Sequence, residues 1–190
     1  MRAETTFDQA PHRPPTPTEG IAIAHGGAER ALRIVTETEA PPRRIVLVAS
    51  AGGHWLELCR LAEAFRDFDC QFVCTTEGQM APIGDRPVLV VADGSRRRLL
   101  SLIGTATTMA RLLRGFRPEI VVSTGAAPGA VALTVARCMG AHTIWIESIS
   151  CRDAPSMSGR FVRRVADLFL TQWPHMAAKH PAMRYFGRVL

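Results

Sequence analysis

The fold can be predicted outward from one stretch, Ile45-Val46-Leu47-Val48-Ala49-Ser50-Ala51-Gly52-Gly53-His54. Its first five residues are apolar at every position, which is typical of a strand buried on both faces of a parallel sheet. The serine and the glycines that follow indicate a tight turn. Beyond the turn, Leu58, Leu61 and Phe65 recur at helical spacing, so we expect a helix over 54–65. The stretch therefore predicts a strand, a glycine turn and a helix in succession.

The same alternation of strand and helix continues along the chain. Apolar, β-prone runs predict further strands at 71–74, 87–91, 120–122, 143–146 and 168–170. Helical periodicity predicts helices over 97–115, 130–139, 159–166 and 175–179. In the longest helix one apolar stripe is expected to cover the sheet: Leu99, Leu102, Ile103, Ala106, Met109, Ala110 and Leu113. This order favours an α/β, Rossmann-like, doubly wound and mainly parallel sheet of roughly five or six strands.

Composition and charge limit what the chain can be. Its 190 residues are 47% hydrophobic and 21% charged, which is typical of a globular protein with a buried core. Residues 1–42 hold six of the 13 prolines and no sustained apolar period, so we expect a disordered tail there and one folded domain over 43–190. The tail carries a net charge of −2 and the remainder +8, which favours an anionic partner such as phosphate, nucleic acid or an acidic membrane surface.

The lack of a recognisable targeting signal and the pattern of cysteines favour a reducing compartment. We identify no signal peptide and no apolar run of about 20 residues that could span a bilayer, so we expect a cytoplasmic protein that is soluble or peripheral. The five cysteines are an odd number and include no C-x-x-C pair, which excludes an even disulfide framework and does not favour a zinc site. We predict neither a metal nor a cofactor.

Three polar loops follow predicted strands, and the carboxyl ends of parallel strands meet at one edge of a sheet, where ligands bind. In the first loop Ser50, Gly52 and Gly53 let the backbone and the free amides of a helix start approach a phosphate. His54 opens the helix, where the positive helix end favours a neutral imidazole suited to a general base. The alternatives are an ordinary strand–helix turn and a histidine that only caps or packs.

The other two loops carry hydroxyls and one carboxylate. Residues 125–129 are expected to form a tight loop before a helix, and with the two residues ahead of them they offer a second set of acceptor- or phosphate-binding positions: Ser123, Thr124, Gly125 and Gly129. Helix capping by Ser123 or Thr124 is the alternative. Glu147, followed by Ser148, could accept hydrogen bonds from sugar hydroxyls or act as a base, or it could pair with Arg152.

The predicted helix 97–115 is flanked by arginines at Arg96, Arg97, Arg98, Arg111 and Arg114. Arginines beside apolar residues favour contact with an anionic membrane surface. The alternative is an ordinary crossover helix with solvated arginines. Because the stripe must cover the sheet, only leftover residues such as Leu100 and Leu112 could reach lipid. Nucleic-acid binding is not favoured, because no aromatic residues interleave with the basic ones.

Five motifs occur in this order along the chain: Val48-Ala49-Ser50-Ala51-Gly52-Gly53-His54, Ser123-Thr124-Gly125-Ala126-Ala127-Pro128-Gly129, Trp145-Ile146-Glu147-Ser148, Asp167-Leu168-Phe169-Leu170-Thr171-Gln172-Trp173-Pro174 and Gly187-Arg188-Val189-Leu190. Together they resemble the acceptor-side, N-terminal-half subunit of split GT-B glycosyltransferases. That family includes bacterial exopolysaccharide subunits of PssD type and the membrane-recruiting subunit of the dolichol-pathway N-acetylglucosaminyltransferase, and it is related to the MurG N-terminal domain. The resemblance covers about 43–190.

The resemblance implies an activity and partners. Residues 43–190 would form the acceptor-binding half of the enzyme, with a separate chain supplying the donor-binding half. The pair would transfer a sugar from a UDP-sugar, of the UDP-GlcNAc or UDP-glucuronate class, to a polyprenyl-diphosphate-linked saccharide at the inner face of the cell membrane. His54 is carried over as the base, and Glu147 as the acceptor-side carboxylate. This chain alone would be inactive.

Two other functions stay open from the sequence. One is a non-catalytic recruiter or scaffold that docks a glycosyltransferase to the membrane. The other is a stand-alone Rossmann-like module that binds a small molecule and transfers nothing.

Overall fold

The computed structural model describes residues 42–93 and 99–189. Of the sequence predictions, the tail 1–42 (all but its last residue) and the arginines 96–98 lie outside the described residues. The strands are β1 Arg44–Val48, β2 Asp69–Cys74, β3 Leu89–Val90, β4 Ile120–Ser123, β5 His142–Ile146 and β6 Leu168–Leu170. The helices are α1 Gly53–Leu61, which continues into a 3₁₀ turn at Ala62–Phe65, α2 Leu99–Phe116, α3 Ala126–Cys138, α4 Met157–Val162 and α5 Pro174–Lys179.

The six strands form one sheet in the order β3-β2-β1-β4-β5-β6, and all neighbouring pairs are parallel. This confirms the Rossmann-like α/β prediction. The order reverses between β1 and β4, and a doubly wound sheet binds ligands at such a switch point. The register pairs Val48 with Ser123 and Ser123 with Trp145, so the loops after β1, β4 and β5 do leave the same edge.

Both faces of the sheet are buried, which explains the apolar runs. In β1, Ile45 and Leu47 pack on the face covered by α1, together with Trp55 and Leu58 of that helix. Val46 and Val48 pack on the opposite face, with residues of α2, α3 and β5. Each residue of such a strand must be apolar because alternate side chains enter different cores.

Three elements differ most from their predicted bounds. Helix α3 begins at Ala126 rather than at 130, so the predicted tight loop 125–129 is wrong beyond Gly125. Pro128 fits this helix because a proline in the first turn has no N–H bond to lose. Helix α4 ends at Val162 rather than at 166, and β3 has only two residues.

Helix α2 covers the sheet with part of the predicted stripe. Met109 and Leu113 are fully buried, whereas Ile103 is 53% exposed, so its predicted burial is wrong. Leu112, expected to be free for lipid, packs partly against the core. No helix within the described residues combines the length and the apolar character needed to cross a membrane.

Candidate functional site

The loops after β1 and β4 meet at the switch point of the sheet. The hydroxyl of Thr124 donates a hydrogen bond to the His54 carbonyl over 2.7 Å. The imidazole of His54 lies directly against Gly125, so closely that a β-carbon at Gly125 would overlap the ring. Gly125 has φ 148°, and the next residue, Ala126, has φ 64°. Unfavourable backbone conformations of this kind cluster at functional sites, and here they bring α3 against the histidine.

Helix α1 starts without a side-chain cap. Its N-cap residue is Gly52, with φ 79°, and no side chain bonds to the first amides of the helix. Gly52 and Gly53 are exposed, and they stand at the positive end of a nine-residue helix. Such a start attracts an anion. The predicted phosphate-binding role of Ser50, Gly52 and Gly53 stays a prediction.

One buried carboxylate at this edge was not singled out from the sequence. Glu57 of α1 is only 2% exposed, and its Oε1 accepts hydrogen bonds from the Ser148 hydroxyl at 2.9 Å and from the Ile149 amide at 3.0 Å. Its position three residues after His54 puts both on one side of the helix. That spacing was the only sequence signal, and it does not distinguish a buried glutamate from a solvated one.

Glu57 and His54 line the same cavity. It has a volume of about 380 Å³ and is bounded by Gly53, His54, Leu56, Glu57, Arg60, Ser148, Ile149 and Ser150. Within the described residues, two buried side-chain polar atoms have no hydrogen-bond partner, His54 Nδ1 and Glu57 Oε2, and both belong to residues that line this cavity. Buried polar groups are almost always paired, so these two unpaired atoms mark the surroundings of the cavity as a candidate site.

Ser123 and Gly129 lie deeper than predicted. Both are buried, and a β-carbon at Gly129 would overlap the Ser123 hydroxyl. That hydroxyl also accepts the Gly125 amide at 3.2 Å. Gly129 lies inside α3 rather than in a loop. Because it has no β-carbon, the helix can pack closely on β4. A ligand role for these two residues stays a prediction.

Glu147 faces the other side of the sheet edge. It is 1% exposed and receives a long hydrogen bond of 3.4 Å from the Trp145 indole. The alternative ion pair with Arg152 is not formed, because that guanidinium lies over the Trp173 ring at 5.5 Å. Ser148, the next residue, points instead to Glu57. The structure therefore brings Ser148 to the His54 cavity and does not bring Glu147 there, and the catalytic role of Glu147 stays a prediction.

We expect Gly159→Ala to destabilise the fold by about 1–3 kcal/mol, the usual range for overpacking. A β-carbon at Gly159 would overlap Glu147 Oε2 and press on the Ser156 hydroxyl that caps α4. Denaturant unfolding measures the change. The matched control is Gly104→Ala in α2, where a β-carbon meets open space and should stabilise the helix by about 0.5–1 kcal/mol. Equal unfolding midpoints for Gly159→Ala and the unaltered chain would contradict the packing described here.

Burial first, and then the negative charge of Glu147, raise the pKa of the Cys151 thiol to about 11. The thiolate is the reactive form, so Cys151 should resist iodoacetamide at pH 8 and become reactive only as the pH approaches 11. Cys138 is exposed and serves as the reactive reference. Peptide mass spectrometry over a time course gives both rates, and we expect Glu147→Gln to speed alkylation of Cys151. Alkylation of Cys151 as fast as Cys138 at pH 8 would be the opposite result.

The remaining predicted positions are spread over a second surface. Arg111 and Arg114 are exposed on α2. The same helix borders an apolar cavity of about 440 Å³ between α2, α3 and α4, where Met157 is 70% and Phe161 59% exposed. Among the described residues, no group of three or more His, Cys, Asp or Glu side chains is arranged to hold a metal ion.

Curated relatives carry one common name. A chain from Eremothecium gossypii named UDP-N-acetylglucosamine transferase subunit ALG14 is 25% identical over 182 residues, covering 79% of this chain and 81% of the relative. The subunits of the same name from Mus musculus and Homo sapiens are 28% and 29% identical over 85 and 87 residues. This chain spans 39% of the length of each of these two mammalian relatives.

Solved structures share the fold at low identity. The crystal structure of MurG from Acinetobacter baumannii matches with a TM-score of 0.56 and 16% identity, covering 70% of this chain and 42% of MurG. The UDP-GlcNAc 2-epimerase from Methanocaldococcus jannaschii matches with a TM-score of 0.62 and 10% identity, covering 76% of this chain and 45% of the epimerase. The family model described as "Oligosaccharide biosynthesis protein Alg14 like" matches residues 93–189, more than half of the chain. The resemblance predicted from the motifs is thus confirmed, and the chain belongs to the Alg14-like family of oligosaccharide biosynthesis proteins.

Proposed function

We propose that this chain is the acceptor-binding subunit of a two-chain glycosyltransferase. With a donor-binding partner it transfers a sugar from a UDP-sugar, of the UDP-GlcNAc or UDP-glucuronate class, to a polyprenyl-diphosphate-linked saccharide in polysaccharide synthesis. The single observation that carries the proposal is membership of the Alg14-like family. The names of the curated relatives, which are transferase subunits, support the need for a partner.

The proposed chemistry uses His54 as the general base. The acceptor hydroxyl oxygen attacks the anomeric carbon of the donor sugar, the bond from that carbon to the UDP oxygen breaks, and UDP leaves with the bonding electrons. The proton of the attacking hydroxyl passes to the His54 imidazole. Support comes from the position of the ring beside the switch point of the sheet and from His54 being one of the residues that line the cavity there.

The acceptor diphosphate is assigned to the uncapped start of α1. Residues 52–54 stand at the uncapped, positive helix end, where free amides attract an anion, and Thr124 and Gly125 border the same point from the loop after β4. UDP lies mostly on the partner chain. Catalysis therefore needs both chains, because each supplies one wall of the cleft.

Contact with the inner face of the cell membrane is the proposed way to reach the lipid acceptor. Helix α2 presents the exposed Ile103 together with Arg111 and Arg114. The neighbouring helix α4 presents the exposed Met157 and Phe161. Arginines beside exposed apolar groups favour an anionic membrane surface.

Replacing Arg111 and Arg114 together by Gln should weaken binding to anionic vesicles by about 30-fold, since each basic residue near such a surface contributes about 1 kcal/mol. Co-sedimentation with phosphatidylglycerol-containing vesicles measures the change. The matched control replaces Arg43 and Arg66 by Gln, which removes the same charge from two exposed sites elsewhere. Equal losses for the two variants would mean that net charge, and not this surface, governs binding.

Reconstitution tests the proposed function. The purified full chain is mixed with its donor-binding partner, UDP-GlcNAc or UDP-glucuronate, and a polyprenyl-diphosphate-linked saccharide. We expect transfer with both chains together and none with either alone. Full turnover by this chain by itself would overturn the two-chain assignment, and absence of transfer by the pair with both donors would overturn the function.

The recruiter function makes a different prediction in the same assay. Its support is the exposed apolar and basic surface of α2 and α4, which needs no catalytic role for His54. A recruiter would leave transfer to a water-soluble acceptor unchanged when His54 is replaced, and only the Arg111 and Arg114 variant would lower transfer to a lipid-anchored acceptor.

A further inference from the structure

Glu57 is held in place by a different segment of the chain. Its Oε1 accepts the Ser148 hydroxyl and the Ile149 amide, so the carboxylate ties α1 to the loop after β5. Ser148 in turn lies 3.1 Å from the Ser150 hydroxyl. The two hydrogen bonds to Glu57 fix the direction of the carboxylate, and Oε1 accepts both of them.

The second oxygen, Oε2, is buried and has no partner. Burying a carboxylate oxygen without a hydrogen bond is strongly unfavourable. The oxygen belongs to a residue that lines the cavity of about 380 Å³ shared with His54. Because Oε2 has almost no accessible surface in this structure, a ligand N–H or O–H donor completes its hydrogen bonding only by entering from the cavity and displacing the side chains that cover this oxygen.

The walls of the cavity indicate the class of that ligand. A carboxylate repels phosphate, so the part of the cavity beside Glu57 is not suited to the diphosphate, which is assigned to the end formed by Gly53 and His54. Leu56 and Ile149 offer apolar surface, while Ser148 and Ser150 offer hydroxyls. A sugar ring presents an apolar C–H face and a rim of hydroxyl or acetamido donors, and it therefore matches both kinds of wall.

We infer that Glu57 is an acceptor-recognition residue: its Oε2 accepts a hydrogen bond from a hydroxyl or acetamido group of the acceptor saccharide, which occupies the cavity between α1 and residues 148–150. The inference rests on the proposed function, because it takes the acceptor to be a saccharide on a lipid diphosphate. It gives Glu57 a role in sugar selection that is separate from the proton transfer assigned to His54.

The test compares soluble probes on the full chain by titration calorimetry. The probes are farnesyl diphosphate, farnesyl-diphosphate-linked glucose and farnesyl-diphosphate-linked N-acetylglucosamine. We expect at least one saccharide probe to bind more tightly than farnesyl diphosphate, and Glu57→Gln to weaken that probe by about 10–100-fold, the range for a hydrogen bond to a charged group. Binding of farnesyl diphosphate should not weaken. Which of the two saccharide probes binds more tightly shows whether a hydroxyl or an acetamido group is the donor to Oε2.

Glu57→Gln keeps an oxygen for Ser148 and Ile149, and thermal unfolding checks that it folds. The matched control is Glu63→Gln, which neutralises an exposed glutamate just beyond α1. Three results would overturn the inference: saccharide probes that bind the unaltered chain no better than farnesyl diphosphate, a folded Glu57→Gln with unchanged saccharide binding, or equal weakening of all three probes. The first of these results is obtained with the unaltered chain, so it does not depend on the folding of any variant. The proposed function is judged separately, by transfer in the reconstituted pair.

Discussion

His54→Ala should lower the turnover of the reconstituted pair by about 10²–10⁴-fold, the usual contribution of a general base. The imidazole projects from the start of α1 against Gly125 at the switch point of the sheet, and none of the other residues that line its cavity is a histidine. Because the base acts on the attacking hydroxyl, the loss should fall on kcat rather than on the acceptor KM. Steady-state kinetics with saturating donor separate the two constants.

The control for this variant is His142→Ala. His142 begins β5 at the opposite end of the strand from the site, and its side chain is 79% exposed beside Asp167, so its loss should leave kcat unchanged. Thermal unfolding establishes that both variants fold. A folded His54→Ala with a near-normal kcat would remove His54 as the base and would favour the recruiter function.

Gly125→Ala should have the second largest effect, a loss of turnover approaching that of His54→Ala together with lower stability. The new β-carbon would occupy the position of the His54 ring, so the ring must move. The φ of 148° at this residue is also unfavourable for alanine. Displacing a catalytic group by about 1 Å is enough to lower the rate by about 100-fold.

A second glycine separates the two causes. Gly140 has φ 83°, but a β-carbon there meets open space, so Gly140→Ala carries backbone strain without any displaced side chain. We expect it to lower stability and leave turnover unchanged. In a His54→Ala background, Gly125→Ala should lower turnover no further. A further loss there would show that Gly125 acts on the reaction by another route than His54.

The element order was predictable because both faces of the sheet are buried. Each strand of the central pair must be apolar at successive positions, as Ile45 to Val48 are, and a run of that kind is visible in the sequence. The turn at Gly52 was also local, since φ 79° requires a residue such as glycine. The start of α3 was missed because Gly and Pro usually mark loops, whereas here Gly125 is the N-cap and Pro128 lies in the first turn.

The partners of the site residues were not predictable in the same way. Glu147 and Ser148 are adjacent in sequence, but they follow β5 with its alternation of faces, so one is buried beside Trp145 and the other reaches Glu57. Periodicity assigns them to opposite faces. Periodicity does not say which helix covers each face, and the covering helix decides which carboxylate shares a cavity with His54.

By itself, the sequence determined the α/β alternation, the resemblance to a family, and the edge of the sheet where polar loops gather. Those properties depend on apolar periodicity and on residues close together in the chain. Only the tertiary structure decided that Glu57, and not Glu147, shares a cavity with His54. The contacts responsible join Glu57 to Ser148 and Thr124 to His54, which are 91 and 70 residues apart, and such contacts form only when parallel strands bring distant loops to one edge.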